Sequence, residues 1–374
     1  MALKETKQEE IHVLMVTLPA QGHINPMLRL GKRLLDKGVH VSLATTLFGG
    51  HRMLKASSIT SITGPNFISG IPILFFSDGI SLDYDRSGNL NYYMETLAKT
   101  GPVNLSNLIK DYYHDTGKKL SCIINNPFVP WVIDAALENQ IPCAMHWIQP
   151  CSLYAIYYRF YNKLNQFPTL ENPDISVELP GLPLLQTQDL PSFVLPSNPF
   201  GCFTKMFSDI FQNMKRYKWV LANSFLELEK EAIESMAELC PIRPVGPLVP
   251  PSLLGKEHQS DVVDAGISMW KADKASLEWL NNQLPASVIY PTNAKLIVDV
   301  FKVGLRLNPS HPDGENVFVK EELEKCITEI LCGPKSEELK KNALKLKQAA
   351  HEAVSSGGSS DRNIQLFVDE ISGN

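Results

Sequence analysis

The chain has 374 residues, with 35 Lys and Arg against 40 Asp and Glu, a formal net charge of −5 and 44% hydrophobic residues. That length fits two domains of ordinary size, and the apolar content supports buried cores over disorder. The acidic balance lacks the basic surface that replaces phosphate counterions, which excludes a nucleic-acid partner. The first ten residues, MALKETKQEE, are charged and polar, with no apolar segment of signal-peptide type behind them. No run approaches the ~20 apolar residues of a membrane span. A cytoplasmic location without membrane attachment is therefore expected. The seven cysteines are odd in number, scattered and without a CxxC pair, so zinc and thioredoxin-type chemistry fall away and the thiols are read as small core residues.

Residues 12–18 (HVLMVTL) form a short apolar, β-branched run ended by Pro19, the pattern of a buried parallel strand. The loop PAQGHINP follows, and then a helix in which Met27, Leu30, Leu34 and Leu35 recur at helical spacing before Gly38. Residues 39–44 give the next strand. This βαβ opening predicts a parallel sheet with helices on both faces. Similar elements recur: a strand at 71–76, a helix at 92–111, a strand at 120–124, a helix at 131–140 and a strand at 141–147. A strand at 219–222 leads into an acidic helix, FLELEKEAIESMAEL, with Asn223 and Ser224 as its expected caps. Residues 1–245 thus read as a complete doubly wound domain.

The proline-dense stretch 240–255 and the polar run 256–264 resist regular structure, and residues 246–275 are read as a linker. Beyond it come a helix at 276–281, a strand at 286–290 (ASVIY), and helices at 291–302, 320–331, 336–354 and 363–371. A nucleotide-binding α/β half needs several βα units of about 30 residues each. Only one strand is found, so residues 276–374 read as a truncated second domain whose last helix packs back on the first.

His23, in the loop PAQGHINP, stands where ligands bind to a doubly wound sheet. A histidine there can take a proton from a hydroxyl; position alone does not separate that role from capping the next helix. The loop is neither GxGxxG nor a Walker sequence, and GxSxG, HExxH and EF-hand patterns are missing.

The segments HVLMVTLPAQGHINPMLRLGKRL, PILFFSDG, CIINNPFVPWV, DLPSF, ANSFLELEKE, CPIRPVGPL, SLEWLNNQLPASVIY and GGSSDRNIQLFVDEI together closely resemble the plant UDP-sugar-dependent glycosyltransferases of small molecules. CIINNPFVPWV and LPGLPLL resemble most the branch that glucosylates hydroxycinnamates, gallate and limonoids. The resemblance implies an α/β, GT-B-like fold of two doubly wound Rossmann-type domains, the second truncated here. It implies UDP-glucose as co-substrate, no cofactor and no metal, transfer with inversion to a small acceptor, and a chain that is monomeric or associates through its incomplete second domain. His23 would be the general base. Family members commonly pair this histidine with an aspartate; here the position is Asn126, which can orient an imidazole but cannot neutralise an imidazolium. That departure fits a carboxylic acid acceptor, ionised near pH 4, better than a phenol near 10. Gln21 and Gly22 are expected beside His23, and Phe76, Phe128, Trp147 and Tyr154 are expected to hold a planar ring. Gln149 and Ser152 fall where the family places polar groups near sugar or acceptor.

The resemblance also exposes a gap. The family binds its donor through a uracil-stacking Trp, an HCGWNS stretch and an acidic residue followed by Gln. None of these is found between Tyr290 and Pro291, where roughly 100 residues, several βα units, are missing.

Overall fold

Strands rich in β-branched residues alternate with amphipathic helices and assemble into one eight-stranded sheet. The computed structural model describes residues 10–56, 59–63, 66–198, 201–250, 253, 266–269, 295–306 and 320–373. The strands are β1 (His12–Val16), β2 (His40–Thr46), β3 (Asn66–Ile68), β4 (Ile71–Phe76), β5 (Leu120–Asn125), β6 (Cys143–Trp147), β7 (Trp219–Ala222) and β8 (Arg243–Pro244). Their order is β3-β4-β2-β1-β5-β6-β7-β8. All neighbours are parallel except β3 and β4. Every residue of central β1 is buried, as expected of a strand covered on both faces.

Helices α1 (Gln21–Leu35), α2 (Leu47–Lys55), α3 (Leu90–Tyr112), α4 (Val132–Glu138), α5 (Cys151–Tyr161), α6 (Gly201–Gln212) and α7 (Leu226–Glu234) connect the strands. Three more close the chain: α8 (Lys320–Cys332), α9 (Ser336–Val354) and α10 (Ser359–Ser372). One face of the sheet carries an aromatic core in which Trp147, Tyr154, Phe207 and Phe211 are buried together. The other packs Met27, Leu30 and Leu34 of α1 with Ile364, Phe367 and Val368 of α10.

Several elements differ from the sequence reading. Helix α1 starts at Gln21 and contains Pro26, so the expected loop is mostly its first turns. Pro26 lies in the second turn, where its missing N–H gives up the bond to the Gly22 carbonyl. Asn223 and Ser224 do not cap α7. The Asn223 side-chain oxygen accepts the Leu248 N–H at 2.8 Å, and the Ser224 hydroxyl donates to Glu229 at 2.6 Å. Within the proline-dense stretch, Arg243–Pro244 adds an edge strand, a position that tolerates a residue without an N–H. Residues 295–300 begin and continue as a single wide helical turn. The expected helix at 276–281 and strand at 286–290 lie outside the described residues.

Helix α10 is fastened to the sheet. Arg243 donates to Glu370 at 2.8 and 3.1 Å, and Trp219 also donates to that carboxylate. Lys37 pairs with Asp361 at 2.8 Å. Phe367, 1% exposed, meets the Trp219 ring edge-on at 5.2 Å. Phe367→Ala is expected to cost about 3–5 kcal/mol through the cavity it leaves. Urea unfolding followed by tryptophan fluorescence checks this; a loss below about 1 kcal/mol would mean that the helix is not integral to the sheet. Among the described residues no helix is long and apolar enough to cross a membrane.

Candidate functional site

The chain leaves β1 toward β2 and β4 on one side and returns to β5 and β6 on the other. The crevice at the carboxyl ends of β1 and β5 is therefore the topological switch point, where open α/β sheets bind ligands. His23 enters it from the first turn of α1, and Asn126 directly follows β5, its N–H bonded to the Val16 carbonyl at 3.0 Å. Their side chains meet, with His23 Nδ1 3.0 Å from Asn126 Oδ1.

The proton on this imidazole can be placed. Asn126 Oδ1 also accepts the Phe128 backbone N–H at 3.0 Å, which identifies that atom as the oxygen. An amide oxygen only accepts, so His23 Nδ1 carries the hydrogen and Nε2 keeps its lone pair. Burial lowers the His23 pKa from its ordinary value, and the Asn126 hydrogen bond opposes that only in part. At neutral pH the side chain is an uncharged imidazole able to accept a proton.

His23 lines a cavity of about 830 Å³. Phe128 packs edge-on against the imidazole at 4.7 Å. Phe48 and Arg52 come from α2, Tyr93 and Met94 from α3, and Phe203 from α6. Arg86, also at the wall, is held by the buried Asp78 carboxylate through bonds of 2.9 and 3.1 Å, with Phe48 4.0 Å from its guanidinium. That pair braces the loop between β4 and α3, which forms one side of the cavity. Arg86→Met is expected to strand the Asp78 charge and to cost about 3–5 kcal/mol. Thermal unfolding measures this, and an unchanged midpoint would show the brace to be dispensable.

The remaining expected site residues divide. Phe128 lies at the cavity with His23. Gly22 is exposed beside it, and the Gln21 side chain accepts the Met269 N–H at 3.4 Å. Phe76, Trp147 and Tyr154 line no described cavity. Phe76 packs edge-on against Trp131 at 5.8 Å. Trp147 and Tyr154 are fully buried in the aromatic core, where contact with Phe211 saves more apolar surface than a cavity wall would. Ser152 donates to Glu229 at 2.8 Å; that buried carboxylate also receives the N–H groups of Cys151 and Ser152, both at 2.9 Å. Glu229 thus caps the start of α5 from a distance. In the sequence it sits inside a run resembling a solvated helix face, and nothing there signals it. Gln149 lines a second cavity of about 450 Å³ with Ser152, Asp189, Lys295 and Arg306. There Asp189 receives Arg306 at 2.5 Å and Lys295 at 3.6 Å.

No family model matches the chain. It is 33% identical to UDP-glycosyltransferase 84B1 of Arabidopsis thaliana over 466 aligned positions, covering 97% of this chain and 98% of that protein. It is 33% identical to gallate 1-beta-glucosyltransferase 84A24 of Punica granatum, with 96% and 89% covered, and to limonoid UDP-glucosyltransferase of Citrus unshiu, with 96% and 90% covered. Among solved structures, Os79 from O. sativa in complex with UDP superposes with a TM-score of 0.79 at 20% identity, covering 96% of this chain and 100% of that one. A UDP-glucosyltransferase from Polygonum tinctorium superposes at 0.75 with 18% identity, covering 99% and 100%. The fold is GT-B, and the chain belongs to the plant UDP-glycosyltransferases. It is also shorter than its relatives: 466 aligned positions against 374 residues leave at least 92 positions of the Arabidopsis protein without a counterpart here.

Proposed function

We propose that the cavity over His23 takes a small phenolic acid, and that the chemistry inherited from the family is its glucosylation by UDP-glucose with inversion. The observation that carries this reading is the His23–Asn126 pair at the cavity. An acid acceptor shares one proton with His23 Nε2. Its oxygen attacks C1 of glucose as the bond from C1 to the UDP oxygen breaks, and UDP departs with the bonding electrons on the opposite face. The product is a 1-O-acyl glucose ester. An imidazole of depressed pKa beside a neutral amide is a weak base. It can deprotonate an acid of pKa near 4 but receives a proton from a phenol near 10 only at a steep cost.

The shortfall in length favours a second component of the reading. We place it between Tyr290 and Pro291, within a donor-binding domain spanning residues 276–374, behind a linker at 246–275 and an acceptor-binding domain at 1–245. The chain as it stands is then impaired in donor binding and acts in the cytoplasm, as a monomer, as an acceptor-binding form of the enzyme. Calorimetric titration of the full chain tests both parts. Binding of a phenolic acid without binding of UDP-glucose is the expected result. Micromolar binding of UDP-glucose would overturn the donor-loss reading, and failure to bind any aromatic acid would overturn the acceptor reading.

A further inference from the structure

Residues 295–306 fold back on themselves. Their wide turn closes with the Phe301 N–H on the Leu296 carbonyl at 2.7 Å, and the Val303 N–H then reaches the Ile297 carbonyl at 3.0 Å. Lys302 makes the reversal at φ 53°, in the left-handed region that a side chain disfavours. Gly304 passes so close to Ile297 that a Cβ would come within 2.6 Å of it. The reversal brings Arg306 back beside Lys295, and both reach one carboxylate, Asp189, at 2.5 and 3.6 Å. The Asp189 side chain is only 1% exposed, and it also accepts the Gln186 N–H at 3.0 Å. Lys295 pairs besides with Asp299 at 2.8 Å, inside the segment, and Asn342 of α9 donates to the Lys302 carbonyl at 3.0 Å. One buried acid thus clamps both ends of the doubled segment.

Through Lys295, Leu296 and Arg306 the segment makes one wall of the cavity of about 450 Å³; the other walls come from residues 149–157 and 182–193. The Gln149 side-chain oxygen is buried there without a hydrogen-bond partner. Two features therefore oppose the closed arrangement, the left-handed Lys302 and the unpaired Gln149 oxygen, and the Asp189 clamp outweighs them. We propose that residues 295–306 are an autoinhibitory latch, locked by Asp189 over this cavity. Locked, it walls off Gln149 and Ser152, two residues that the sequence places near sugar or acceptor. Released, it opens their cavity to solvent. The inference stands apart from the phenolic-acid reading, which concerns the cavity at His23.

The test is hydrogen exchange of the full chain, read by mass spectrometry on peptides from residues 296–303 and from β1. Fluorescence of the dye 8-anilinonaphthalene-1-sulfonate reports newly exposed apolar surface alongside it. The variants are Asp189→Asn, which keeps the shape and deletes the charge both ends share, and Arg306→Gln, which frees one end from a side chain 31% exposed. Should the first fail to fold, the second decides alone. Residues 296–303 should exchange at least about tenfold faster in Asp189→Asn, the loss of one charge-assisted hydrogen bond, and by a smaller factor in Arg306→Gln. Protection of β1 should stay unchanged, and dye emission should rise in both. Unchanged exchange in the variants overturns the latch. Equal acceleration in β1 makes the segment a plain structural support and overturns it as well. Faster exchange without a rise in emission overturns the opening of the cavity.

Discussion

Inserting, at the proposed junction between Tyr290 and Pro291, the segment by which a full-length relative is longer is expected to raise UDP-glucose affinity by at least about a hundredfold, to micromolar. The physical reason is the chemistry of the donor. A uracil ring needs an aromatic face, a pyrophosphate needs several N–H donors at a helix start, and sugar hydroxyls need paired acceptors. The sequence around the junction supplies none of these in combination. In the restored protein His23→Ala should then lower turnover by roughly 10²–10⁴-fold, the range for removing a general base, while leaving donor binding unchanged. Calorimetry for the nucleotide and product formation for the sugar read the two effects separately. Turnover that survives His23→Ala would remove the histidine from the reaction. An insertion that folds but gains no donor affinity would place the deficit elsewhere in the chain.

The second large effect is on stability in acid, and it comes from a histidine outside the cavity. His146 is fully buried on β6, with Nδ1 3.1 Å from the Met27 sulfur and Nε2 without a partner. Burial pulls its pKa down to about 3. Above pH 6.5 both folded and unfolded chains hold this ring neutral, so its full contribution is present. As the pH falls below 6.5 the unfolded chain takes up a proton that the folded chain refuses, and stability drops by about 1.4 kcal/mol per pH unit. The loss continues to the folded pKa and totals roughly 5 kcal/mol. His12 and His23, also lowered by burial, act in the same direction. His146→Leu should remove one proton's share of this slope and tolerate acid better. Urea midpoints at pH 7.5, 6.5 and 5.5 measure it, and parallel pH slopes for the two proteins would refute the assignment.

Strands were most legible where a short apolar run was bounded by breakers: β4 and β7 occupy the very residues that the run marks out. Helix α5 escaped the reading because CSLYAIYYRFY, largely buried, lacks a continuous polar face to set its period. Helix α2 escaped for the opposite reason, since its two glycines look like a turn. They are there for packing: a Cβ on Gly50 would come within 2.9 Å of the Phe75 ring, and one on Gly49 within 2.7 Å of Pro19. The meeting of His23 with Asn126 could not be read from spacing, because 103 residues separate them. Resemblance alone paired the two positions. Aromatic residues were harder still. Phe128 and Trp147 carry the same sequence signal, and only the closure of α3, α5 and α6 over the sheet sends one to a cavity and the other to the core. Arg52 and Tyr93 gave no signal because their shared wall exists only once β2 and the loop after β4 are in place.

The fastening of α10 to β7 and β8 makes the chain between them a closed excursion, with both feet on one sheet. Closing such an excursion costs entropy that grows only with the logarithm of its length, about 0.6 kcal/mol for each doubling. Residues can therefore be gained or lost along it by the dozen while the sheet hardly registers the change. Changes of length between β8 and α10 thus cost the sheet little, provided that the final helix still comes home.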